Sequence, residues 1–329
     1  MNIQEDRTQL PFVERFRPRV LDDVMSHKDT IQILKNFLKK HDIPHLLFYG
    51  PPGTGKTSTI EAFVNELYGN KYVEYMIMNI NASEERGIDI VRNKIKNFVS
   101  TIPIKHDPNT PKYKFVILDE ADAMTSDAQG MLKQVIEYYT DNARFCLICN
   151  CIKKINPAIK SRCTNFNFPP IDFGSVEKKI TNISKEFGIT VTQDGIETIW
   201  KLSHGDMRKV MHMLQVISIN NKIIDSDKVT KFQKYPTNKD AIQIYNTLIK
   251  GKLHKSLEFM KEIMNEKNYS MQDIVTEISY KLVDQITSGK INSDKGALLL
   301  CSLRDIEMNI ITTFDTELQL ASIVSIFSL

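Results

Sequence analysis

Long apolar runs are absent from this chain of 329 residues. Two of its most apolar stretches, residues 46–49 and 297–301, are far shorter than the roughly 18 to 20 residues that cross a bilayer as a helix. The N-terminal residues have neither the basic region nor the apolar region of a secretory signal. We therefore expect a soluble intracellular protein with no membrane partner.

An excess of one charge is also missing. Lys and Arg together number 43 and Asp and Glu 40, which gives a net charge of +3. Apolar residues at 42% and charged residues at 25% are ordinary proportions for a globular protein, so disordered, collagen-like and coiled-coil chains are poor starting points. Without a basic tail, any contact with nucleic acid must be local. The length predicts two or three domains, at roughly 100–200 residues each.

Cysteine is sparse, and five residues suit a reducing compartment better than a disulfide framework. Cys146, Cys149 and Cys151 are close enough in sequence to raise the alternative of a zinc site. However, residues 144–150 predict a buried strand, in which Cys146 and Cys149 point to opposite faces and cannot easily share an ion. We expect them to be small buried apolar side chains.

The chain changes character twice. Apolar strand-like segments alternate with amphipathic segments as far as Pro170, which predicts an α/β fold with a parallel sheet. Residues 102–112, with three prolines, predict a loop within that region. Helical spacing takes over after Pro170, and residues 235–238 mark a second break. The predicted domains are an α/β domain at 1–170, a small helical domain at 171–236 and an all-α domain at 237–329. The predicted strands are residues 45–49, 75–79, 115–119, 144–150 and 164–168.

A phosphate-binding loop is predicted where the sequence reads Gly-Pro-Pro-Gly-Thr-Gly-Lys-Thr. This loop follows a predicted strand and opens a predicted helix, the context in which backbone N–H groups wrap a phosphate. Lys56 would reach the β- and γ-phosphates of ATP, and Thr57 would bind Mg²⁺. The nucleotide-binding residues predicted here are Gly50, Pro51, Pro52, Gly53, Thr54, Gly55, Lys56, Thr57 and Ser58.

Asp119 ends the apolar segment 115–119, and a second acidic residue, Glu120, follows it. We predict that Asp119 is a Mg²⁺ ligand and that Glu120 activates the water that attacks the γ-phosphate. Because the carboxyl ends of parallel strands share one edge, Asn150 is expected beside them. Asn150 could hold that water, and an ordinary turn role is the open alternative. The predicted reaction is ATP hydrolysis.

Arg208 conflicts with a local rule. The sequence predicts that Asp206 is the N-cap of a helix. Arg208 then lies in the first turn, where a cation faces the positive end of the helix dipole. Such conflicts tend to mark functional positions. We therefore predict that Arg208 contacts bound ATP.

Together these residues resemble the AAA+ clamp loaders, in particular the small subunits of eukaryotic replication factor C, over nearly the whole chain. Within that family, residues 118–129, 144–150 and 302–307 are most similar to the subfamily numbered three in one scheme and five in another. The family motifs match in order at residues 11–18, 50–57, 81–87, 118–124, 150, 161–163 and 205–209.

The resemblance implies an AAA+ P-loop ATPase domain with a five-stranded parallel sheet, then a small helical lid and an α-helical collar that joins subunits. It implies ATP and Mg²⁺ as cofactors. It also implies a heteropentamer with other replication factor C subunits, which opens the sliding clamp PCNA and loads it on primer–template DNA in the nucleus.

The resemblance further assigns roles to single residues. Val13, Arg17 and Met25 would border the adenine, Asn150 would be sensor 1 and Arg208 sensor 2. Arg162 would be an arginine finger that acts on the ATP of the neighbouring subunit. The position of Arg162 before a strand agrees with this, because that end of the sheet lies opposite the phosphate loop.

DNA contacts are predicted at Arg86 and Arg92, near the start of a helix, where phosphate binding is common. A solvated basic face is the open alternative. The chain also departs from the family, because Leu132-Lys133-Gln134 stands where two consecutive arginines are usual.

Three competing functions have to be compared. Asp119-Glu-Ala-Asp122 could indicate a DEAD-box RNA helicase, but that class needs a second RecA-like domain, and the helical sequence after Pro170 does not supply one. A scaffold that binds ATP without hydrolysing it remains open, although Glu120, Asn150 and Arg162 argue against it. An AAA+ remodeller that acts on protein alone also remains open.

Overall fold

The computed structural model describes residues 10–40, 42–69, 73–101, 113–312 and 315–328, so the predicted loop at 102–112 lies outside it. The chain divides into two compact units, Met1–Ile223 and Ile224–Leu329. The predicted domain limits at residues 170 and 236 stay predictions. None of the described helices is long and apolar enough to span a membrane.

The first unit is built on a sheet of five parallel strands, in the order β2-β3-β4-β1-β5. This confirms the predicted five-stranded parallel sheet. Four strands lie within one residue of their predicted limits, whereas β2 begins two residues late because Val73–Met76 form a helical turn. The strands are β1 (His45–Tyr49), β2 (Ile77–Asn81), β3 (Lys114–Asp119), β4 (Ala143–Cys149) and β5 (Cys163–Asn167).

Helices cover both faces of this sheet and continue beyond it. A π-helical segment, Ile90–Ile95, directly precedes α5. Two-residue strands occur at Thr190–Val191 and Ile223–Ile224. The helices are α1 (Phe12–Arg15), α2 (Lys28–Lys40), α3 (Lys56–Tyr68), α4 (Val73–Met76), α5 (Lys96–Ser100), α6 (Ser126–Tyr138), α7 (Pro157–Lys160), α8 (Phe173–Phe187), α9 (Gln193–Ser203) and α10 (Met207–Asn220).

Alternate residues of each strand enter two separate apolar cores, one on each face of the sheet. Phe145 and Cys149 of β4 belong to one core, and Cys146 belongs to the other. The prediction that Cys146 and Cys149 point to opposite faces is therefore confirmed. Burial raises the pKa of the Cys149 thiol to about 12, which suits a packing role. Each fully buried large apolar side chain contributes roughly 1.5–3 kcal/mol, so both faces stabilise the sheet.

After the short strand Ile223–Ile224, every element that the structure describes in the second unit is an α-helix. Its core is lined by apolar residues at helical spacing, such as Ile244, Leu248 and Ile274. A buried carboxylate, Asp240, accepts hydrogen bonds from the Tyr269 hydroxyl at 2.6 Å and the Thr237 hydroxyl at 2.7 Å. The helices are α11 (Ser226–Gln233), α12 (Asn238–Lys250), α13 (Leu253–Lys267), α14 (Met271–Thr287), α15 (Ser293–Thr312) and α16 (Thr316–Ser328).

A buried histidine at the start of β1 predicts a pH-dependent stability. Burial lowers the pKa of His45 to about 4, and the Arg144 charge adds to that shift. The Nδ1 atom of His45 accepts the backbone N–H of Phe145 at 3.3 Å, so the neutral ring is the one that fits. In the unfolded chain the pKa returns to about 6.5. The unfolded state therefore binds the proton first as the pH falls, and we expect up to about 3 kcal/mol of stability to be lost between pH 6.5 and 4.

The test compares His45→Gln, which keeps an acceptor but cannot titrate, with His212→Gln at an exposed position on α10. Urea unfolding midpoints measured from pH 7 to pH 4 should fall less steeply for His45→Gln than for the wild type. The His212→Gln protein should follow the wild type. Equal slopes for all three proteins would contradict the prediction.

Candidate active site

The predicted phosphate loop connects β1 to α3 in the first unit. Gly50, Gly53 and Gly55 have φ values of 147°, 70° and 92°, which glycine adopts without strain. A Cβ at Gly50 would lie 2.1 Å from the Phe168 carbonyl oxygen, so this position also needs a residue without a side chain. Among the described residues no side chain caps α3, whose first N–H groups are thus suited to bind an anion.

Lys56 connects the loop to a neighbouring strand. Its Nζ donates to the carbonyl oxygens of Gly50 and Pro51, both at 2.7 Å, and to Asn150 Oδ1 at 3.0 Å. Burial lowers the pKa of Lys56, and the Asp119 carboxylate opposes that shift. The ammonium group is therefore held inside the curve of the loop, where a phosphate oxygen could replace the carbonyl contacts.

Thr57 and Asp119 supply two oxygen atoms side by side. The Thr57 hydroxyl donates to Asp119 Oδ2 at 2.8 Å, which joins the first turn of α3 to the end of β3. Hydroxyl and carboxylate oxygens are the ligands that Mg²⁺ prefers, so this pair fits the predicted ion.

Glu120 follows Asp119 in an unusual backbone conformation. Its φ of 53° lies in the left-handed region, and its N–H donates to Asp119 Oδ1 at 2.9 Å. A non-glycine residue held there costs about 1 kcal/mol or more, and such strain is frequent at functional sites. The turn keeps Glu120 at the cleft while the chain leaves the sheet edge.

Asn150 directly follows β4, which lies between β3 and β1 in the sheet. The structure therefore confirms the prediction that Asp119, Glu120 and Asn150 lie together at the carboxyl edge of the sheet. Asn150 and Lys56 can meet because β1 and β4 pair in parallel with Tyr49 opposite Cys149. The segments that follow these two strands therefore leave the sheet at the same edge, side by side.

The far part of the cleft is lined by the N-terminal segment and by α8. Val13, Arg17 and Met25, the residues predicted to border the adenine, line the cleft here. Arg17 forms an ion pair with Glu61 of α3 at 2.9 Å. Ser175, which the sequence does not single out, also lines this region. Its hydroxyl donates to Asp172 Oδ1 at 2.7 Å and lies 3.3 Å from the Met25 carbonyl oxygen.

Two further contacts, one in the cleft and one on the phosphate loop, were not predicted. Lys179 of α8 lines the cleft and donates to the Phe16 carbonyl oxygen at 3.1 Å. The Nε2 atom of His27 donates to the Thr54 carbonyl oxygen at 3.0 Å and so restrains the backbone of the phosphate loop. Each pair is separated by at least 27 positions in sequence. No local motif signals such contacts.

The start of α10 packs directly against the phosphate loop. Asp206 is the N-cap, as predicted, and accepts from the Arg208 N–H at 2.8 Å. The Met207 N–H donates to the Gly53 carbonyl oxygen at 3.0 Å, and a Cβ at Gly53 would lie 1.7 Å from Asp206 Oδ1. This close approach brings Arg208 to the cleft.

One cleft thus collects most of the predicted nucleotide site. Gly50 and Pro51 contribute through the carbonyl oxygens that bind Lys56. The predicted residues that line it are Val13, Arg17, Met25, Pro52, Gly53, Thr54, Gly55, Lys56, Thr57, Ser58, Asp119, Glu120, Asn150 and Arg208.

Three predicted arginines lie elsewhere. Arg162 precedes β5, where Cys163 pairs with His45, and this is the end of β1 opposite Gly50. Its guanidinium forms an ion pair with Glu137 and donates to the Ala158 carbonyl oxygen at 2.7 Å.

Arg86 and Arg92, the predicted DNA contacts, lie near the start of the helix that contains the π segment. The Arg86 carbonyl oxygen accepts the Thr125 N–H at 3.2 Å. Arg92 is exposed and lies 3.9 Å from Asp89 within the same helix. Their role in DNA binding stays a prediction.

Comparison with known proteins covers both units. The family model described as ATPase family associated with various cellular activities matches residues 46–170, and that of the replication factor C C-terminal domain matches residues 236–325. A solved structure of the RuvB Holliday junction branch migration motor from Thermotoga maritima has a TM-score of 0.52 at 15% identity, covering 75% of this chain and 85% of that one. It shares the fold.

Curated relatives match along nearly the whole chain. Replication factor C subunit 5 from Homo sapiens is 38% identical over 97% of this chain and 91% of its own length. Replication factor C subunit 3 from Schizosaccharomyces pombe is 39% identical over 96% and 90%. The predicted resemblance, including the subfamily numbered three or five, is confirmed. The chain belongs to the replication factor C family of clamp-loader ATPase subunits.

Proposed function

We propose that this chain binds ATP with Mg²⁺ in the cleft and hydrolyses it as one subunit of a replication factor C heteropentamer. In this proposal the complex opens PCNA and loads it on primer–template DNA in the nucleus. The proposal rests on family membership and on one observation, the joined contacts of Lys56 with Asn150 and of Thr57 with Asp119 in a single cleft.

The phosphate end of the cleft carries the binding part of the proposal. The uncapped N-terminus of α3 offers N–H groups to the phosphates, and Lys56 binds the β- and γ-phosphate oxygens. Thr57 and Asp119 hold Mg²⁺, which when bound neutralises charge on the phosphate oxygens. Val13, Arg17 and Met25 enclose the adenine.

Hydrolysis needs a base, a positioned water and a cation at the γ-phosphate. Glu120 accepts the proton from the attacking water, and the Asn150 amide orients that water. Arg208, carried on α10, stabilises charge on the γ-phosphate. Arg162 supplies the corresponding charge to the ATP of the neighbouring subunit.

The second unit is the proposed assembly element, since it offers apolar side chains to solvent. Leu298, Met308 and Leu318 are 71%, 60% and 65% exposed on α15 and α16. Exposed apolar groups on neighbouring helices favour burial against another protein surface. For DNA we propose Arg86 and Arg92, which are exposed cations near the start of a helix.

Among the competing functions, an RNA helicase of the DEAD-box class is not supported. In the part of the chain that the structure describes beyond residue 170, the strands are two residues long and the other elements are helices. An ATP-binding scaffold would not need Glu120 held in a strained conformation at the cleft. A remodeller of protein alone differs from a clamp loader in its response to DNA.

The test measures ATP hydrolysis by the assembled complex, with the P-loop lysines of the other subunits replaced so that only this site turns over. We expect PCNA and primed DNA each to increase the rate, and blunt duplex DNA without a primer end to increase it less. ATP bound at this site but not hydrolysed above background, with or without PCNA and primed DNA, would indicate a scaffold. A rate that responds to protein but never to primed DNA would contradict clamp loading.

A further inference from the structure

Asp122 lies just outside the cleft, in a short turn between β3 and α6. The left-handed conformation of Glu120 redirects the chain into a single 3₁₀ turn, Ala121–Ala123, closed by the Ala123 N–H donating to the Glu120 carbonyl oxygen at 2.8 Å. This turn directs the Asp122 side chain toward the neighbouring strand β4. Asp122 is not among the residues that line the cleft.

Both carboxylate oxygens of Asp122 accept backbone N–H groups at the end of β4. Oδ1 accepts the N–H of Asn150 at 3.4 Å, and Oδ2 accepts the N–H of Cys151 at 3.1 Å. Hydrogen bonds to an ionised acceptor are stronger than neutral ones, and a pair of them restrains direction as well as distance. Asp122 therefore fixes the backbone where the chain leaves the sheet.

The backbone held in this way belongs to a residue of the site. Asn150 is exposed at the cleft, and its Oδ1 accepts from Lys56 Nζ at 3.0 Å. On one side its backbone is held by the buried strand that ends at Cys149, and on the other by the carboxylate of Asp122. Only the side-chain torsions of Asn150 remain free, so its amide has few positions to adopt.

We propose that Asp122 is a positioning residue for ATP hydrolysis, which acts by holding Asn150 in the orientation that the reaction needs. This inference rests on the proposed role of Asn150 and extends it to a residue that does not touch ATP. Displacing a positioned group by about 1 Å can cost about 100-fold in rate. Looser restraint of Asn150 should therefore lower kcat more than it alters binding.

The first measurement is the ATP hydrolysis rate of Asp122→Asn in the complex whose other sites are blocked. An amide keeps one acceptor but turns N–H groups toward a backbone N–H, so one of the two contacts is lost. We expect kcat to fall about tenfold and KM for ATP to change by less than about twofold. The matched control is Asp127→Asn, an exposed acid in the first turn of α6, which should retain the wild-type kcat.

The second measurement is a double-mutant cycle with Asn150→Ala. If Asp122 acts through Asn150, the double variant should have nearly the same kcat as Asn150→Ala alone. If Asp122→Asn lowered kcat by the same factor in the wild type and in Asn150→Ala, the proposal would be overturned, because a merely structural residue would act equally in both proteins. A normal kcat for Asp122→Asn, with a low kcat for Asn150→Ala, would overturn the role of Asp122 and leave the proposed function intact. A normal kcat for Asn150→Ala would remove the basis of both.

Hydrogen exchange gives a readout that does not depend on turnover. In Asp122→Asn the amides of Asn150 and Cys151 should exchange faster than in the wild type, while those of the central residues of β4 keep their protection. Unchanged exchange at Asn150 and Cys151 would overturn the proposal. General loss of protection in β4 would also overturn it, since Asp122 would then support the fold rather than one residue.

Discussion

Replacing Glu120 with Gln should lower ATP hydrolysis at this site by about 100-fold or more while ATP binding is retained. The two side chains have the same shape, so the strained turn at φ 53° and its N–H contact to Asp119 should persist. The carboxamide cannot accept a proton from the attacking water. The loss should therefore appear in kcat and leave the dissociation constant of ATP nearly unchanged.

The matched comparison is Lys56→Ala, which removes the ammonium group held at 2.7 Å from the loop carbonyls. That variant should lose most of its ATP affinity, because it removes the charge that faces the β- and γ-phosphates. Binding of a fluorescent ATP analogue and single-turnover hydrolysis, both in the assembled complex, separate the two effects. A normal hydrolysis rate for Glu120→Gln would show that another group is the base.

Replacing Arg162 with Ala should leave the ATP affinity of this chain intact and slow hydrolysis at the adjacent subunit by about 10³–10⁵-fold. The resemblance to the clamp loaders implies this role, and position agrees with it, since Arg162 precedes β5 at the end of the sheet opposite Gly50 and so lies away from this chain's own ATP. A guanidinium is permanently charged and can bind two phosphate oxygens at once. Within this chain its contacts are Glu137 and the Ala158 carbonyl oxygen, which orient it near the surface.

The measurement mixes mutant subunit with wild-type partners and assays each ATP site with the others blocked. Arg162→Lys is the informative second variant, because it keeps the charge but not the two-point contact, and it should restore only part of the rate. Glu137→Gln serves as the control for the intrachain ion pair, which at an exposed position contributes roughly 0–1 kcal/mol. A loss confined to this chain's own site would contradict the assignment of Arg162.

The parts of the molecule that the sequence determined by itself are those whose causes are local. A strand, a glycine turn and a helix occur within residues 45–68, so the phosphate loop and the roles predicted for Lys56 and Thr57 follow from neighbours in the chain. Asp206 was recognised as an N-cap for the same reason. Alternation of side chains along β4 correctly separated Cys146 from Cys149, because the period of a strand does not depend on its partners.

Tertiary structure alone decided which distant groups meet. Asp122 contacts Asn150 and Cys151 only because β3 and β4 are neighbours in the order β2-β3-β4-β1-β5, and no local pattern encodes that order. Lys179 reaches the Phe16 carbonyl oxygen across 163 positions in the same way. Local sequence sets backbone torsions and the direction of each side chain relative to its own element. The long-range hydrogen bonds that position a reactive group depend on how the elements pack, which the buried apolar faces determine together.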